Sequence, residues 1–141
     1  MIAYLDTSAM VPLLIAEPTS SVCATLWNTA DDVVTSQLAY VETADALAAA
    51  RRAGRITRDE HRSAIAQLDD IWAQTAVVRV DETLVAHAAA LADTHALRGY
   101  DAVHCASAIA VSDVDMIAAA GDRRLLDAWH DLGLATVDVT R

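Results

Sequence analysis

Asp6, Glu42, Asp101 and Asp122 are the residues of this chain best suited to chemistry. They lie far apart in sequence, yet their contexts agree. Asp6 follows the apolar run Met1–Leu5 and Asp122 follows Met116–Ala119, so both mark the carboxyl ends of predicted strands. Glu42 and Asp101 sit in the early turns of predicted helices. In an open α/β sheet these positions face one edge, the edge at which ligands bind. Helix amino ends stabilise a nearby carboxylate by only about 0.3–1 kcal/mol each, too little to hold four like charges together. No basic residue is obviously placed to neutralise them. An oxygen-only donor set suits Mg²⁺ or Mn²⁺. Two such ions about 3.5–4 Å apart can activate a water and stabilise the leaving oxygen of an in-line displacement. The expected chemistry is metal-dependent hydrolysis of a phosphodiester, with Asp6, Glu42 and Asp101 holding the principal ion and Asp122 completing it or a weaker second site.

Neighbouring residues have humbler readings beside the functional ones. Thr7 and Ser8 can cap the segment after Asp6, because a side-chain oxygen accepts from the free amides of a first turn, or can support the metal site. Arg123 is a candidate contact for a substrate phosphate or a surface ion-pair partner. His104, one turn beyond Asp101, reads as a satisfied helix residue more than a ligand. Tyr40 and Tyr100 read as packing residues, with stacking on bases as the alternative. Asp93 and Asp113 read as solvated.

The elements that must position these groups alternate regularly. Strands are predicted at Met1–Leu5, Val33–Thr35, Val77–Val80, Met116–Ala119 and Ala135–Val139. Between them, helices are predicted at Ala9–Ala16, Ser20–Thr29, Gln37–Ala53, Thr57–Thr75, Asp81–Thr94, Tyr100–Val111 and Asp122–Leu132. Thr57 with Glu60 forms a capping-box signature, Gly54 and Gly133 stop helices, and Pro12 is tolerable only near a first turn. Short apolar strands without a two-residue period indicate a parallel sheet covered on both faces. The predicted fold is a three-layer α/β sandwich with a central, mostly parallel five-stranded sheet, residues 1–141 forming a single domain.

Composition narrows the function. The chain has 141 residues, 20 acidic and 10 basic, for a formal net charge of −10. That argues against a broad nucleic-acid groove built on phosphate contacts, but not against a nuclease whose ions supply local positive charge. It also favours a basic protein partner. Hydrophobic residues make up 55%, enough to suggest an apolar oligomer interface as well as a core. Cys23 and Cys105 read as buried fillers, and two cysteines are no disulfide framework. No signal peptide or membrane span is expected, and a cytoplasmic location follows. Two other readings use the same residues: a metal phosphatase or DNA-directed nuclease, and a degenerate scaffold that only binds a partner.

Four segments in order resemble the PIN-domain ribonucleases, and more narrowly the VapC toxins of bacterial type II toxin–antitoxin systems. They are Met1-Ile2-Ala3-Tyr4-Leu5-Asp6-Thr7-Ser8-Ala9, Ser36-Gln37-Leu38-Ala39-Tyr40-Val41-Glu42, Leu97-Arg98-Gly99-Tyr100-Asp101-Ala102-Val103-His104 and Ala119-Ala120-Gly121-Asp122-Arg123-Arg124-Leu125. The likeness spans nearly the whole chain and aligns the four acids with the family's four. One departure stands out. Family members often carry Thr or Ser shortly before the fourth acid, where this chain has Ala119, Ala120 and Gly121. The resemblance implies a Mg²⁺- or Mn²⁺-dependent endoribonuclease that cuts transfer or ribosomal RNA and stops translation. It implies a homodimer, assembled into a heterotetramer or larger with a cognate antitoxin whose basic arm lies in the active-site groove. It implies no direct DNA binding by this chain.

Overall fold

Every predicted strand forms in the computed structural model, which describes residues 1–141. The strands are β1 (Ile2–Leu5), β2 (Asp32–Ser36), β3 (Ala76–Val78), β4 (Met116–Ala120) and β5 (Ala135–Asp138). They make one sheet in the order β3-β2-β1-β4-β5, and every neighbouring pair is parallel. The helices are α1 (Thr7–Met10), α2 (Ser20–Thr29), α3 (Leu38–Arg52), α4 (Arg58–Ala73), α5 (Glu82–His95), α6 (Gly99–Ala110) and α7 (Arg123–Asp131).

Alternation along the central strands sorts side chains between two cores, because successive residues of a strand face opposite sides. Ala3 and Leu5 of β1, with Ala119 of β4, join Met10, Cys23 and Leu26 on one face. Tyr4, Ala118 and Ala120 join Leu91, Cys105 and Trp129 on the other. A smaller cluster of Leu14, Leu47, Ala64 and Leu68 ties α3 to α4. Alanine on β4 keeps both layers close, and Trp129, wholly buried, fills the space this leaves beside Tyr4 at a ring-centroid distance of 5.7 Å.

Local signals explain most element ends. Thr57 and Glu60 form the reciprocal capping box of α4, and Asp81 accepts from the Leu84 amide at the start of α5. Gly54, just past α3, has φ of 73°, the left-handed turn that glycine adopts without strain. The helix expected over Ala9–Ala16 is shorter. It closes at Met10 and tightens into a 3₁₀ turn over Val11–Leu13, because Pro12 has no amide to continue an α-helical ladder. Cys23 and Cys105 are free and buried. No helix is long and apolar enough to cross a membrane.

Candidate active site

The crossing of five parallel strands brings Asp6, Glu42, Asp101 and Asp122 to one cleft of about 880 Å³. Asp6 stands just beyond β1 and Asp122 just beyond β4, the central pair of the sheet. Glu42 comes from the second turn of α3 and Asp101 from the first turn of α6. Asp6 and Asp101 are buried at its floor, while Glu42 and Asp122 are partly open to solvent.

The groups behind these carboxylates hold them in place. Ser8 Oγ donates to Asp6 Oδ1 at 2.5 Å and accepts from the Gly121 amide at 2.8 Å. Thr7 Oγ1 donates to Glu42 Oε1 at 2.8 Å. Neither hydroxyl caps α1, whose N-cap is Asp6 and has no side-chain cap bond. The capping expectation for Thr7 and Ser8 therefore gives way to carboxylate support, since a charge-assisted bond to a buried carboxylate outweighs a bond to a solvated amide.

His104 is almost wholly buried, and its Nε2 lies 2.7 Å from Glu42 Oε1. A nitrogen facing a carboxylate carries a proton, and on the other side of the ring Nδ1 shares a hydrogen bond of 2.8 Å with the Tyr4 hydroxyl. His104 is thus the satisfied helix residue that its sequence position suggests, and its partner is a candidate site carboxylate. Glu42 Oε1 takes both donors, leaving Oε2 for the cleft. The apolar neighbours of His104 in sequence gave no sign of this, because Tyr4 and Glu42 reach it from β1 and α3.

Arg98 overturns the expectation that no basic residue neutralises the acids. Ala96 ends α5 in the left-handed region with φ of 53°, Leu97 is buried, and Arg98 is thrown outward as the N-cap of α6. Its Nε donates to Asp101 Oδ2 at 3.0 Å and its Nη2 to Asp122 Oδ2 at 3.1 Å. The guanidinium lies 4.8 Å from the Tyr100 ring centroid. Tyr100 is 44% exposed, so the packing expectation fails for it. Tyr40 does pack, edge-on against Trp72, and donates to Asp69. Arg123 is exposed on the first turn of α7 and is not part of the cleft wall; Arg98 and Arg141 are the arginines there.

Asp122 has two duties. Oδ1 caps α7 by accepting from the Leu125 amide at 3.0 Å, and Oδ2 pairs with Arg98. The two duties can be separated. Asp122→Asn keeps an N-capping side chain, whereas Asp122→Ala loses the cap at a cost of about 1 kcal/mol. We expect the alanine variant to melt lower than the asparagine variant in thermal unfolding, with both losing carboxylate charge in the cleft. Equal melting temperatures would contradict the cap.

Electrostatics follow burial. Burial pushes Asp6 from 3.8 up to about 6; His104 and the Ser8 hydrogen bond pull it down, and Asp101 adds to the rise. Burial likewise raises Asp101, against the hydrogen bond from Arg98. As the side chains stand, no three of the cleft's acids and imidazole are gathered closely enough to grip one ion. The donor set nonetheless fits a hard divalent cation: it is all oxygen, its acids share one cleft, and Glu42 Oε2 and Asp101 Oδ1 are not tied to the donors behind them.

The family model described as PIN domain matches residues 3–130. The chain is 45% identical over 132 residues to Ribonuclease VapC45 and, equally, to Ribonuclease VapC49, both of Mycobacterium tuberculosis, covering 94% of this chain and 92% of each relative. Among solved structures it resembles FitAcB from Neisseria gonorrhoeae (TM-score 0.73, 21% identity, 100% of this chain and 99% of that one). It also resembles Mycobacterium tuberculosis VapC20, described as a sarcin-ricin loop cleaving toxin (TM-score 0.70, 22% identity, 96% and 97% covered). At these identities the structural likenesses speak to the fold.

Proposed function

Because the chain belongs to the PIN domain family, we propose that it is an endoribonuclease toxin that hydrolyses RNA of the transfer or ribosomal class and so inhibits translation, with residues 1–141 acting as one domain. The reading is supported by 45% identity to two relatives named ribonucleases over most of the chain. The observation that carries it is the shared cleft at the carboxyl edge of the sheet, with Asp6, Glu42, Asp101 and Asp122 all on its wall.

Asp6, Glu42 and Asp101 would hold Mg²⁺ or Mn²⁺, with Asp122 completing that site or a second one. Such an ion, when bound, supplies Lewis-acid charge at the phosphate and lowers the pKa of a water. The chain's own residues do the rest. Ser8 fixes the Asp6 carboxylate, and through the Gly121 amide it ties the ends of β1 and β4 together. Thr7 and His104 fix Glu42 from behind, so its outer oxygen keeps one direction. This arrangement lowers the reorganisation needed when charge develops at the phosphorus. Cleavage leaves a 5′ phosphate on one fragment and a 3′ hydroxyl on the other.

The cleft walls carry Glu17 besides the four acids, and the whole chain is at −10. A basic segment of a cognate antitoxin is the complement of that surface, and the solved structures of similar fold include one described as a toxin–antitoxin complex from Klebsiella pneumoniae (TM-score 0.66, 12% identity, 97% of each chain covered). We place the antitoxin arm in the cleft and the toxin as a homodimer within the complex.

The test is sequencing of the 5′ ends made from total RNA by purified protein. A discrete set of 5′-phosphate ends is expected with Mg²⁺ or Mn²⁺, and none after chelation. Cleavage that persists at full rate in excess chelator would end the metal assignment. Turnover on DNA or a small phosphate ester but not on RNA would end the ribonuclease reading.

A further inference from the structure

We propose that Arg98 is a phosphate-binding residue held in reserve: it pairs with Asp101 and Asp122 while the cleft lacks a divalent cation, and it is handed to an RNA phosphate when a cation takes those carboxylates. The inference rests on the ribonuclease reading above and names a residue which that reading does not need.

Four observations support it. Arg98 bridges two candidate ion ligands that come from different elements, Asp101 at 3.0 Å and Asp122 at 3.1 Å. A guanidinium there offsets part of the charge that a divalent ion would, so the two compete for the same carboxylates. The Arg98 side chain is 56% exposed, whereas that of Asp101 is 8% exposed. The carboxylate is fixed and the cation is free to leave. Arg98 rests against half-exposed Tyr100 at the cleft wall, a cation–π contact that can keep the planar head near the mouth after its carboxylates are taken. Finally, Arg141, the other arginine of the wall, is already paired with Asp138 at 3.4 Å. A guanidinium displaced by a doubly positive ion is repelled by it and offers its fork of N–H donors to the nearest anion. In a cleft loaded with RNA that anion is a backbone phosphate.

The exchange has a signature that needs no RNA. Mn²⁺ titration of the purified chain, followed by electron paramagnetic resonance, should show Arg98→Gln binding about three- to tenfold more tightly than wild type, because a competing cation is gone. Arg98→Lys should fall between the two. Arg124→Gln, which removes the same charge from an exposed position outside the cleft, should match wild type. In the second arm, kcat/KM for RNA in Mg²⁺ is measured against salt. Arg98→Gln should raise KM and lower the slope of log(kcat/KM) against log salt by about one, the mark of one lost phosphate contact. A helix-capping role alone would move neither readout. Mn²⁺ affinity unchanged or weakened in Arg98→Gln overturns the exchange, and an unchanged salt slope overturns the phosphate contact. If wild type binds no Mn²⁺ and Asp101→Asn behaves identically, both this proposal and the metal assignment fall. If wild type loses Mn²⁺ on Asp101→Asn while Arg98→Gln equals wild type, only the Arg98 proposal falls.

Discussion

Asp6→Asn is expected to abolish RNA cleavage and, at the same time, to make the metal-free protein harder to unfold. Both effects come from one buried carboxylate. Asp6 is 5% exposed, and burial pushes it from 3.8 to about 6. A raised folded-state value means that the protonated form suits the fold. That contribution is fully present below about pH 3.8, and it is lost as pH rises through about 6. At neutral pH the ionised group is therefore a burden on the fold when no cation offsets it. Each tenfold change in proton affinity is worth roughly 1.4 kcal/mol, so the burden reaches up to about 3 kcal/mol. Asparagine is the neutral isostere and can still accept from Ser8. We expect a gain of about 1–3 kcal/mol in chelator at pH 7.5, shrinking to nothing near pH 4. Cleavage should fall by at least about 100-fold, because the amide brings no charge to a cation. A variant that melts below wild type in chelator at pH 7.5 would refute the burial argument, and one that cleaves at the wild-type rate would remove Asp6 from the site. Function in this cleft is thus held at the expense of stability, as is common where like charges are buried together.

His104→Ala should be the second most damaging change, and its effect should divide into two measurable parts. The deletion strips a donor from Glu42 Oε1 and leaves the Tyr4 hydroxyl facing a void, with both groups buried or partly so. An unsatisfied buried polar group costs about 1–3 kcal/mol, and the cavity adds to that. Thermal unfolding should show a loss of about 2–4 kcal/mol. Activity should drop about 10–100-fold, the usual toll for removing a partner that orients a ligand side chain. Tyr4→Phe removes only the far hydroxyl, so it should cost less than about tenfold in cleavage while Glu42 keeps its donor. His104→Gln, which can restore an N–H toward Glu42, should recover part of the activity. Equal rates for Tyr4→Phe and His104→Ala would show that the chain of bonds does not act through Glu42.

The sheet itself was legible. Short apolar runs at Met1–Leu5 and Met116–Ala119, each with an acid at or shortly past its end, announce strands whose ends line one edge. Helix limits were nearly as clear where a cap writes them locally, as Thr57 with Glu60 and Gly54 do. Pro12 is tolerable only near a first turn, and the helix expected over Ala9–Ala16 breaks there, because a missing amide acts on the turn it sits in. The missing hydroxyl before the fourth acid also has a spatial answer. A side chain at Gly121 would lie 3.2 Å from the Thr140 methyl and 3.5 Å from Ser8 Oγ, so Ser8, from the far end of the chain, brings the hydroxyl to that place.

What the linear chain decided for itself was the type and rough address of each acid, because strand ends, caps and hydrophobic alternation are written within a few residues. Which groups from other elements reach the acids and the histidine behind them was settled only in three dimensions. Arg98 meets Asp122 from 24 residues away, Thr7 meets Glu42 from 35, and Tyr4 meets His104 from 100. Charge pairing and buried hydrogen bonds act over a few ångströms of space and take no account of distance along the chain, so they exist only once parallel crossovers have laid β1, α3 and α6 side by side.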